Sequence, residues 1–170
     1  MSSPPSQALS DPNALNGNPQ TTGKQVVIGM IGLGTVGSGV FKIFRDHSDI
    51  FFQKIAVRDS QKNRNITDLD SDLLSQDPFE VVRDRETQVV VELMGGAELA
   101  RELVLEALNN GKHVVTANKE LIAKYGPELF ELARKNNVRI LFEGAVAGGI
   151  PIIMPLKLSL GANKIQEIAG

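Results

Sequence analysis

The residues whose types and spacing suggest chemistry lie in one short segment near the start of the chain. Five of the sixteen glycines fall between Gly29 and Gly39, and none occurs from Val40 to Met94. Residues 32–37 have the sequence GLGTVG, which fits the G-x-G-x-x-G pattern of dinucleotide-binding turns. In such turns the glycines permit a tight bend, the approach of a pyrophosphate and close helix–strand packing. The predicted phosphate-binding residues are Gly32, Leu33, Gly34, Thr35, Val36 and Gly37.

The elements on either side of the glycines make this pattern more specific. Residues 26–31 form a short apolar run with β-branched side chains, which is typical of a buried strand. Apolar residues then recur at helical spacing from Val36 to Phe44. The motif requires this order of strand, turn and helix, and the free N–H groups at the helix start would attract phosphate. The alternative is a tight strand–helix turn that binds no ligand.

The position that selects between NAD(H) and NADP(H) lies at the end of the second predicted strand. NAD-preferring sites place an acidic residue there, about 20 residues beyond the glycines, to bind the ribose 2′-hydroxyl. If the strand ends at Val57, Arg58 holds that position, and a guanidinium suits a 2′-phosphate. If the strand ends one residue later, Asp59 holds it and favours NAD(H). The sequence favours NADP(H), with NAD(H) and a merely solvated basic loop as the alternatives.

Strand and helix patterns alternate along the rest of the chain. We predict further strands at 51–57, 89–94, 113–115 and 138–142. We predict helices at 99–108 and 121–135, the second one broken near Gly126 and Pro127. Strands that are apolar on both faces and alternate with amphipathic helices imply a sheet covered on both sides. The predicted fold is therefore α/β and of the Rossmann type, a doubly wound, mostly parallel sheet with helices on both faces. Residues 59–88 give no clear pattern.

Composition excludes several other classes of protein. Eighteen basic and twenty acidic side chains leave a formal net charge of −2, which indicates neither a nucleic-acid partner nor an anionic membrane surface. The absence of cysteine excludes zinc–thiolate sites and thiol nucleophiles. No apolar run reaches the roughly 18 residues that a membrane span needs. We expect a cytoplasmic protein with a disordered tail over 1–23 and a dinucleotide-binding domain over 24–161.

Five motifs together resemble one family. They are IGLGTVGSGV at 31–40, AVRD at 56–59, VELMGG at 91–96, VTANK at 115–119 and EGAVAGGIP at 143–151. In this order they resemble the nucleotide-binding domain of homoserine dehydrogenase, and the resemblance covers about residues 25–170. It implies the NAD(P)-dependent interconversion of L-homoserine and L-aspartate 4-semialdehyde, a step toward threonine, isoleucine and methionine.

The resemblance also implies roles for particular residues. Lys119 matches the family's lysine beside the nicotinamide and the substrate, so it is the expected catalytic residue and a cofactor-binding residue. A cation in the first turn of a helix is disfavoured by roughly 0.3–1 kcal/mol, which independently makes this lysine a functional candidate. The alternative from the sequence alone is a solvated surface lysine. Gly95 and Gly96 join the expected cofactor-binding set.

A sodium site is implied by the last motif. Backbone carbonyls would hold the ion, at the positions that match Glu143, Val146, Gly148 and Ile150. Because backbone ligands leave no side-chain pattern, this assignment depends on the resemblance alone. The alternative explanation of the motif is a glycine-rich turn that leads into a proline-started helix.

In this family, a substrate and dimerisation domain follows the cofactor domain, and the members of the family are homodimers. Residues 162–170 are the expected start of such a domain, the rest of which would be missing, so we expect the isolated chain to be inactive. The apolar segment 150–158 would face that domain, which makes self-association a further expectation. The alternatives are a non-catalytic NADP(H)-binding module and another amino-acid dehydrogenase or reductase of the same fold.

Overall fold

The computed structural model describes residues 25–67 and 69–167. The predicted tail at 1–23 and residues 168–170 lie outside the described residues. The strands are β1 Val26–Ile31, β2 Ile50–Ala56, β3 Leu74–Ser75, β4 Val89–Glu92, β5 His113–Thr116 and β6 Ile140–Leu141. The α-helices are α1 Thr35–Phe44, α2 Pro78–Arg83, α3 Glu98–Asn109, α4 Lys119–Lys135 and α5 Ile153–Leu158, with 3-10 turns at Ser71–Leu73 and Glu143–Ala145. None of the helices in the described part of the chain has the length and apolar composition of a membrane span.

The six strands form a parallel sheet in the order β3-β2-β1-β4-β5-β6. The order reverses at β1, which pairs with β2 on one side and with β4 on the other. In doubly wound folds the ligand crevice opens beyond the carboxyl ends of the strands at this reversal point. A ligand crevice is therefore expected between the loops that follow β1 and β4.

Helices cover both faces of the sheet, so the predicted fold is confirmed. On one face α1 packs Phe41 against Phe52 of β2, with ring centroids 5.0 Å apart. On the other face α2, α3 and α4 bury Val81, Leu103 and Leu121 completely. Because both faces of the sheet are buried, the strands are continuous apolar runs and not alternating apolar and polar patterns.

One helix differs from its prediction. The predicted break near Gly126 and Pro127 is wrong, because α4 runs without interruption from Lys119 to Lys135. Proline removes one backbone hydrogen bond from a helix interior. Here that loss is offset by the burial of Leu121 and Leu129 on either side of it and by the Asn118 side chain, which caps the helix start.

Two short elements occur in the segment for which we predicted no clear pattern. Within the segment 59–88, strand β3 adds an edge to the sheet and α2 covers part of its face. Asp77 caps α2 by accepting a 2.9 Å hydrogen bond from the backbone N–H of Phe79, and Pro78 occupies the first helical turn. An acidic cap followed by proline is a recognised helix start, but six residues are too few to show helical periodicity.

Candidate dinucleotide-binding site

The glycine turn joins β1 to α1 and packs against its neighbours more closely than other residues could. Gly32 has φ +101°, and a Cβ there would lie 2.8 Å from the carbonyl oxygen of Leu93. A Cβ on Gly37 would lie 2.1 Å from the carbonyl oxygen of Gly32. A Cβ on Gly34, in contrast, would meet no atom within 4 Å. Two glycines therefore permit close packing, whereas the third leaves open space beside the turn.

The start of α1 has the features of an anion-binding helix N-terminus. Gly34 is the N-cap residue and offers no side-chain cap, and the first turn contains no acidic residue. The first N–H groups of a helix have no partner within the helix, and they lie at the positive end of its dipole. Of the remaining turn residues, Leu33 is buried in the core, whereas Thr35 and Val36 are exposed. Leu33 would therefore contribute backbone atoms only.

The end of β2 lies beside this turn, because the N–H of Gly32 donates a 2.9 Å hydrogen bond to the carbonyl of Ala56. The strand ends at Ala56, one residue before the predicted end, and Arg58 follows with an exposed side chain. Arg58 makes no hydrogen bond or ion pair to any other described residue. Asp59 is also exposed, but one of its carboxylate oxygens accepts a 2.9 Å hydrogen bond from the N–H of Gln61. The guanidinium is therefore the more available of the two competing groups.

A second arginine stabilises the loop beyond this point. Arg64 donates hydrogen bonds to the backbone carbonyls of Asp59 and Lys62, so its guanidinium holds the loop instead of pointing to solvent. Of the basic side chains near the end of β2, Arg58 is thus the one that the loop leaves exposed and next to the strand.

The loop after β4 and the start of α4 form the other half of the edge. The N–H of Leu93 donates a 2.8 Å hydrogen bond to the carbonyl of Ile31, which ties this loop to the end of β1. Gly96 has φ +83°, a conformation that favours glycine, and the space around a Cβ on Gly95 is open. Lys119 lies in the first turn of α4, as predicted. The residue is exposed, and its side chain has no hydrogen-bond or ion-pair partner within the described part of the chain.

Buried polar residues that the sequence analysis did not identify connect these two loops. Glu92 and Thr116 are register partners at the carboxyl ends of β4 and β5, and Thr116 Oγ1 donates a 2.5 Å hydrogen bond to Glu92 Oε2. Glu92 Oε1 accepts a 2.8 Å hydrogen bond from the N–H of Met94. Asn118 donates from its N–H to Thr116 Oγ1 at 3.0 Å and from Nδ2 to the carbonyl of Gly96 at 2.7 Å.

The electrostatic state of Glu92 follows from its position. The side chain is completely buried, and burial raises the pKa of its carboxyl group, while the hydrogen bonds from Thr116, Met94 and Asn118 act in the opposite direction. The available signal was a polar residue near the carboxyl end of an apolar strand, which is Glu92 in VVVELM and Thr116 in HVVT.

The segment after β6 contains the predicted sodium-binding positions. Ala147 and Gly148 have φ values of 55° and 61°, so two consecutive residues adopt the left-handed conformation. The carbonyls of Val146, Gly148 and Ile150 accept no hydrogen bond from the described residues, whereas the carbonyl of Glu143 accepts one from the N–H of Val146 at 3.2 Å. Backbone oxygens without partners are suitable ligands for a hard cation, so the donor set fits the predicted ion.

Glu143 has a second role that was not predicted. Its carboxylate accepts hydrogen bonds from the N–H groups of Ile152, Ile153 and Met154, at 2.8 Å for Ile153 and 3.1 Å for Met154. The side chain therefore caps α5. This helix begins at Ile153 and not at Pro151, so the predicted proline start is displaced by two residues.

Among the described residues, the candidate groups fall at one edge of the sheet. The glycine turn, Arg58, the loop with Gly95 and Gly96, and Lys119 all follow the carboxyl ends of neighbouring strands. A separate groove over β5 and β6 contains none of the candidate residues. It is lined by His113, the first residue of β5, and by Arg139, which directly precedes β6.

Comparisons with known proteins identify a family. Residues 32–143 match the family model described as homoserine dehydrogenase, NAD binding domain. A homoserine dehydrogenase from Neisseria gonorrhoeae is 47% identical over 154 residues, which are 86% of this chain and 35% of that protein. A homoserine dehydrogenase from Synechocystis is 48% identical over 152 residues, which are 85% of this chain and 35% of that protein.

Solved structures agree with this match. The crystal structure of a homoserine dehydrogenase from Thiobacillus denitrificans has a TM-score of 0.72 at 46% identity and covers 84% of this chain and 35% of its own. A hyperthermophilic archaeal homoserine dehydrogenase in complex with NADPH has a TM-score of 0.64 at 30% identity, covering 78% and 48%. The chain thus spans about 35% of the length of the bacterial relatives described above. It belongs to the family of homoserine dehydrogenase NAD-binding domains.

Proposed function

We propose that this chain binds NADP(H) at the carboxyl edge of its sheet and supplies the cofactor-binding part of a homoserine dehydrogenase. The observation that carries the proposal is the arrangement beside β2, where Arg58 is exposed and unpartnered among the described residues while Asp59 is engaged by Gln61. The open space at Gly34 and the uncapped start of α1 support pyrophosphate binding next to it. The guanidinium would then bind the 2′-phosphate, which favours NADP(H) over NAD(H).

The proposed reaction interconverts L-homoserine and L-aspartate 4-semialdehyde. The nicotinamide of a bound cofactor supplies the chemistry of hydride transfer. In the oxidation of homoserine, the hydride leaves the alcohol carbon for the nicotinamide, and the hydroxyl proton passes to a base that we place in the region of the relatives that this chain does not match. We expect Lys119 to donate a hydrogen bond to the reacting oxygen. The support for this role is that the residue is exposed and that its side chain has no hydrogen-bond or ion-pair partner in the described part of the chain. That contact would orient the substrate and stabilise negative charge as the proton leaves.

A monovalent cation, sodium by resemblance, would bind the loop at 143–150. The carbonyls of Val146, Gly148 and Ile150 accept no hydrogen bond from the described residues, and this supports the proposal, as does the left-handed conformation of Ala147. A non-glycine residue in that conformation costs about 1 kcal/mol or more and persists where the surroundings require it. The cation would hold the loop in position and would take no part in hydride transfer.

The substrate-binding groups are proposed to lie in the region of the relatives that this chain does not match. Oxidation of a small zwitterion needs a substrate held about 3–3.5 Å from the nicotinamide, and losing that positioning costs roughly 7–11 kcal/mol. We therefore expect the 170-residue polypeptide to bind NADPH without homoserine-dependent turnover.

Calorimetry with NADPH and a homoserine oxidation assay test the two halves of this proposal. We expect saturable NADPH binding by the chain, no turnover alone, and turnover when the chain is fused to the unmatched region of the Neisseria gonorrhoeae relative. In that fusion, Lys119→Ala should reduce kcat while leaving the Kd for NADPH within a few-fold. A folded chain that binds no NADPH refutes cofactor binding, and an inactive fusion that still binds NADPH leaves only a non-catalytic dinucleotide-binding module.

A further inference from the structure

Glu92 is a buried acid that joins the two loops of the candidate site. Its side chain is completely buried, and its hydrogen bonds go to the N–H of Met94 at 2.8 Å and to the hydroxyl of Thr116 at 2.5 Å. The first contact holds the loop after β4, and the second holds the end of β5. Within the described residues, no charged group compensates this acid, so its contacts with these two neighbours and with Asn118 are what satisfy it. An acid buried without a counter-charge is costly unless hydrogen bonds satisfy it.

Thr116 and Asn118 extend the connection to both sides of the cofactor edge. The Thr116 hydroxyl accepts from the N–H of Asn118 at 3.0 Å while it donates to Glu92. The Asn118 amide group donates to the carbonyl of Gly96 at 2.7 Å, and its oxygen caps α4 by accepting from the N–H of Leu121 at 3.1 Å. One chain of hydrogen bonds thus fixes the loop that contains Gly95 and Gly96 relative to the first turn of α4.

Neither Glu92 nor Thr116 can contact a cofactor directly, because both side chains are buried beneath the edge, 0% and 2% exposed. Any effect on binding must therefore pass through the loops that they hold. Lys119 directly follows Asn118, so its backbone position depends on that cap. The glycine turn and Arg58, by contrast, are attached to β1 and β2 and share no hydrogen bond with Glu92 or Thr116 among the described residues.

We propose that Glu92, acting through Thr116 and Asn118, is a positioning residue that shapes the nicotinamide half of the cofactor site and leaves the adenosine half unaffected. This inference rests on the proposed function, since it assumes that the cofactor lies along the carboxyl edge with its 2′-phosphate at Arg58. Its distinguishing consequence is a separation of the two halves. A change in the hydrogen-bond chain weakens binding of the whole dinucleotide but not of a ligand that contains only the adenosine end.

Thr116→Val tests this separation, because it removes the hydroxyl and keeps the shape of the side chain. The affinities of the 170-residue chain for NADPH and for adenosine 2′,5′-bisphosphate are measured by calorimetry. We expect NADPH binding to weaken at least tenfold and adenosine 2′,5′-bisphosphate binding to change less than twofold. Equal changes for the two ligands, or no change for either, overturn the inference while the parent chain's NADPH binding keeps the proposed function intact.

Thr87→Val is the matched control. Thr87 is also a buried threonine, 3% exposed, and its hydroxyl donates a 3.0 Å hydrogen bond to the carboxylate of Asp84. It precedes β4 at the opposite edge of the sheet, so the same chemical change should lower the free energy of unfolding without changing NADPH binding. A tenfold loss of NADPH affinity in this control would show that the effect of Thr116→Val is general destabilisation, which overturns the inference.

Glu92→Gln keeps the inference testable if Thr116→Val does not fold. Glutamine has the same shape but offers one acceptor oxygen where Met94 and Thr116 both donate, so we expect NADPH binding to weaken by about threefold or more with adenosine 2′,5′-bisphosphate binding unchanged. Unchanged NADPH binding in a folded Glu92→Gln chain overturns the inference. A parent chain that binds neither ligand overturns the proposed function and this inference together.

Discussion

Replacing Arg58 by alanine should remove most of the preference for NADPH over NADH. A hydrogen bond between charged groups is worth about 1.5–3 kcal/mol. The side chain is exposed and unpartnered among the described residues, so binding must also immobilise it at a cost of roughly 0.5–1.5 kcal/mol. The midpoints of these two ranges leave a net difference of about 1.3 kcal/mol, which corresponds to a roughly tenfold lower Kd for NADPH in the parent chain. In Arg58→Ala we expect equal Kd values for the two cofactors, with NADH binding unchanged.

Calorimetric titrations of both cofactors at two salt concentrations provide the assay. The NADPH affinity of the parent chain should fall more steeply with salt than that of Arg58→Ala, because exposed charge pairs are screened. Asp59→Asn is the control, since it keeps the size of the neighbouring side chain and tests the NAD(H) alternative. Equal affinities of the parent chain for NADPH and NADH, together with a loss of NADH binding in Asp59→Asn, would refute the assignment of Arg58.

Three further predictions concern stability and association. Gly37→Ala should lower the free energy of unfolding by several kcal/mol in urea titrations, because the new Cβ would lie 2.1 Å from the Gly32 carbonyl oxygen. Gly39→Ala is the control on the same helix, where a Cβ would lie in open space, and it should raise the free energy of unfolding by about 0.5–1 kcal/mol. Burial raises the pKa of Glu92 above its usual value near 4.5, so the folded chain binds this proton more tightly than the unfolded chain does. The contribution of Glu92 to the free energy of unfolding should therefore decline as pH rises from about 4.5 through the folded pKa. Glu92→Gln should reduce the difference in the free energy of unfolding between urea titrations at low and at neutral pH. Leu158, 73% exposed on α5, should promote concentration-dependent self-association in sedimentation experiments, and Leu158→Glu should reduce it; a monomeric parent chain at high concentration would contradict this.

The parts of the fold that sequence analysis predicted are those with long, regular patterns. The apolar run of β1 and the helical spacing of α1 were both recognised because each spans at least six residues. The interruption predicted in α4 was wrong because the local cost of Pro127 is smaller than the packing of the helix against the sheet. Elements of two to six residues, such as β3 and α2, carry too few positions for a period to be visible.

The candidate site divides in the same way. The glycine turn could be predicted because backbone approach requires glycine at fixed spacing, and the structure shows that close approach at Gly32 and Gly37. The hydrogen bond between Glu92 and Thr116 could not, because the two residues are 24 positions apart and meet only through the register of β4 and β5. Similarly, nothing in the sequence indicates that the Glu143 carboxylate caps α5.

The most direct test of the proposed cofactor site is an NADPH titration of the isotopically labelled chain, followed by backbone amide NMR. We expect shift changes concentrated at the glycine turn 32–37, at Arg58, at the loop 93–96 and at Lys119. The backbone amide shift of His113, in the groove over β5 and β6, should remain unchanged. Shift changes centred on that groove, or none at saturating NADPH in a folded chain, would contradict the placement of the dinucleotide at the carboxyl edge of the sheet.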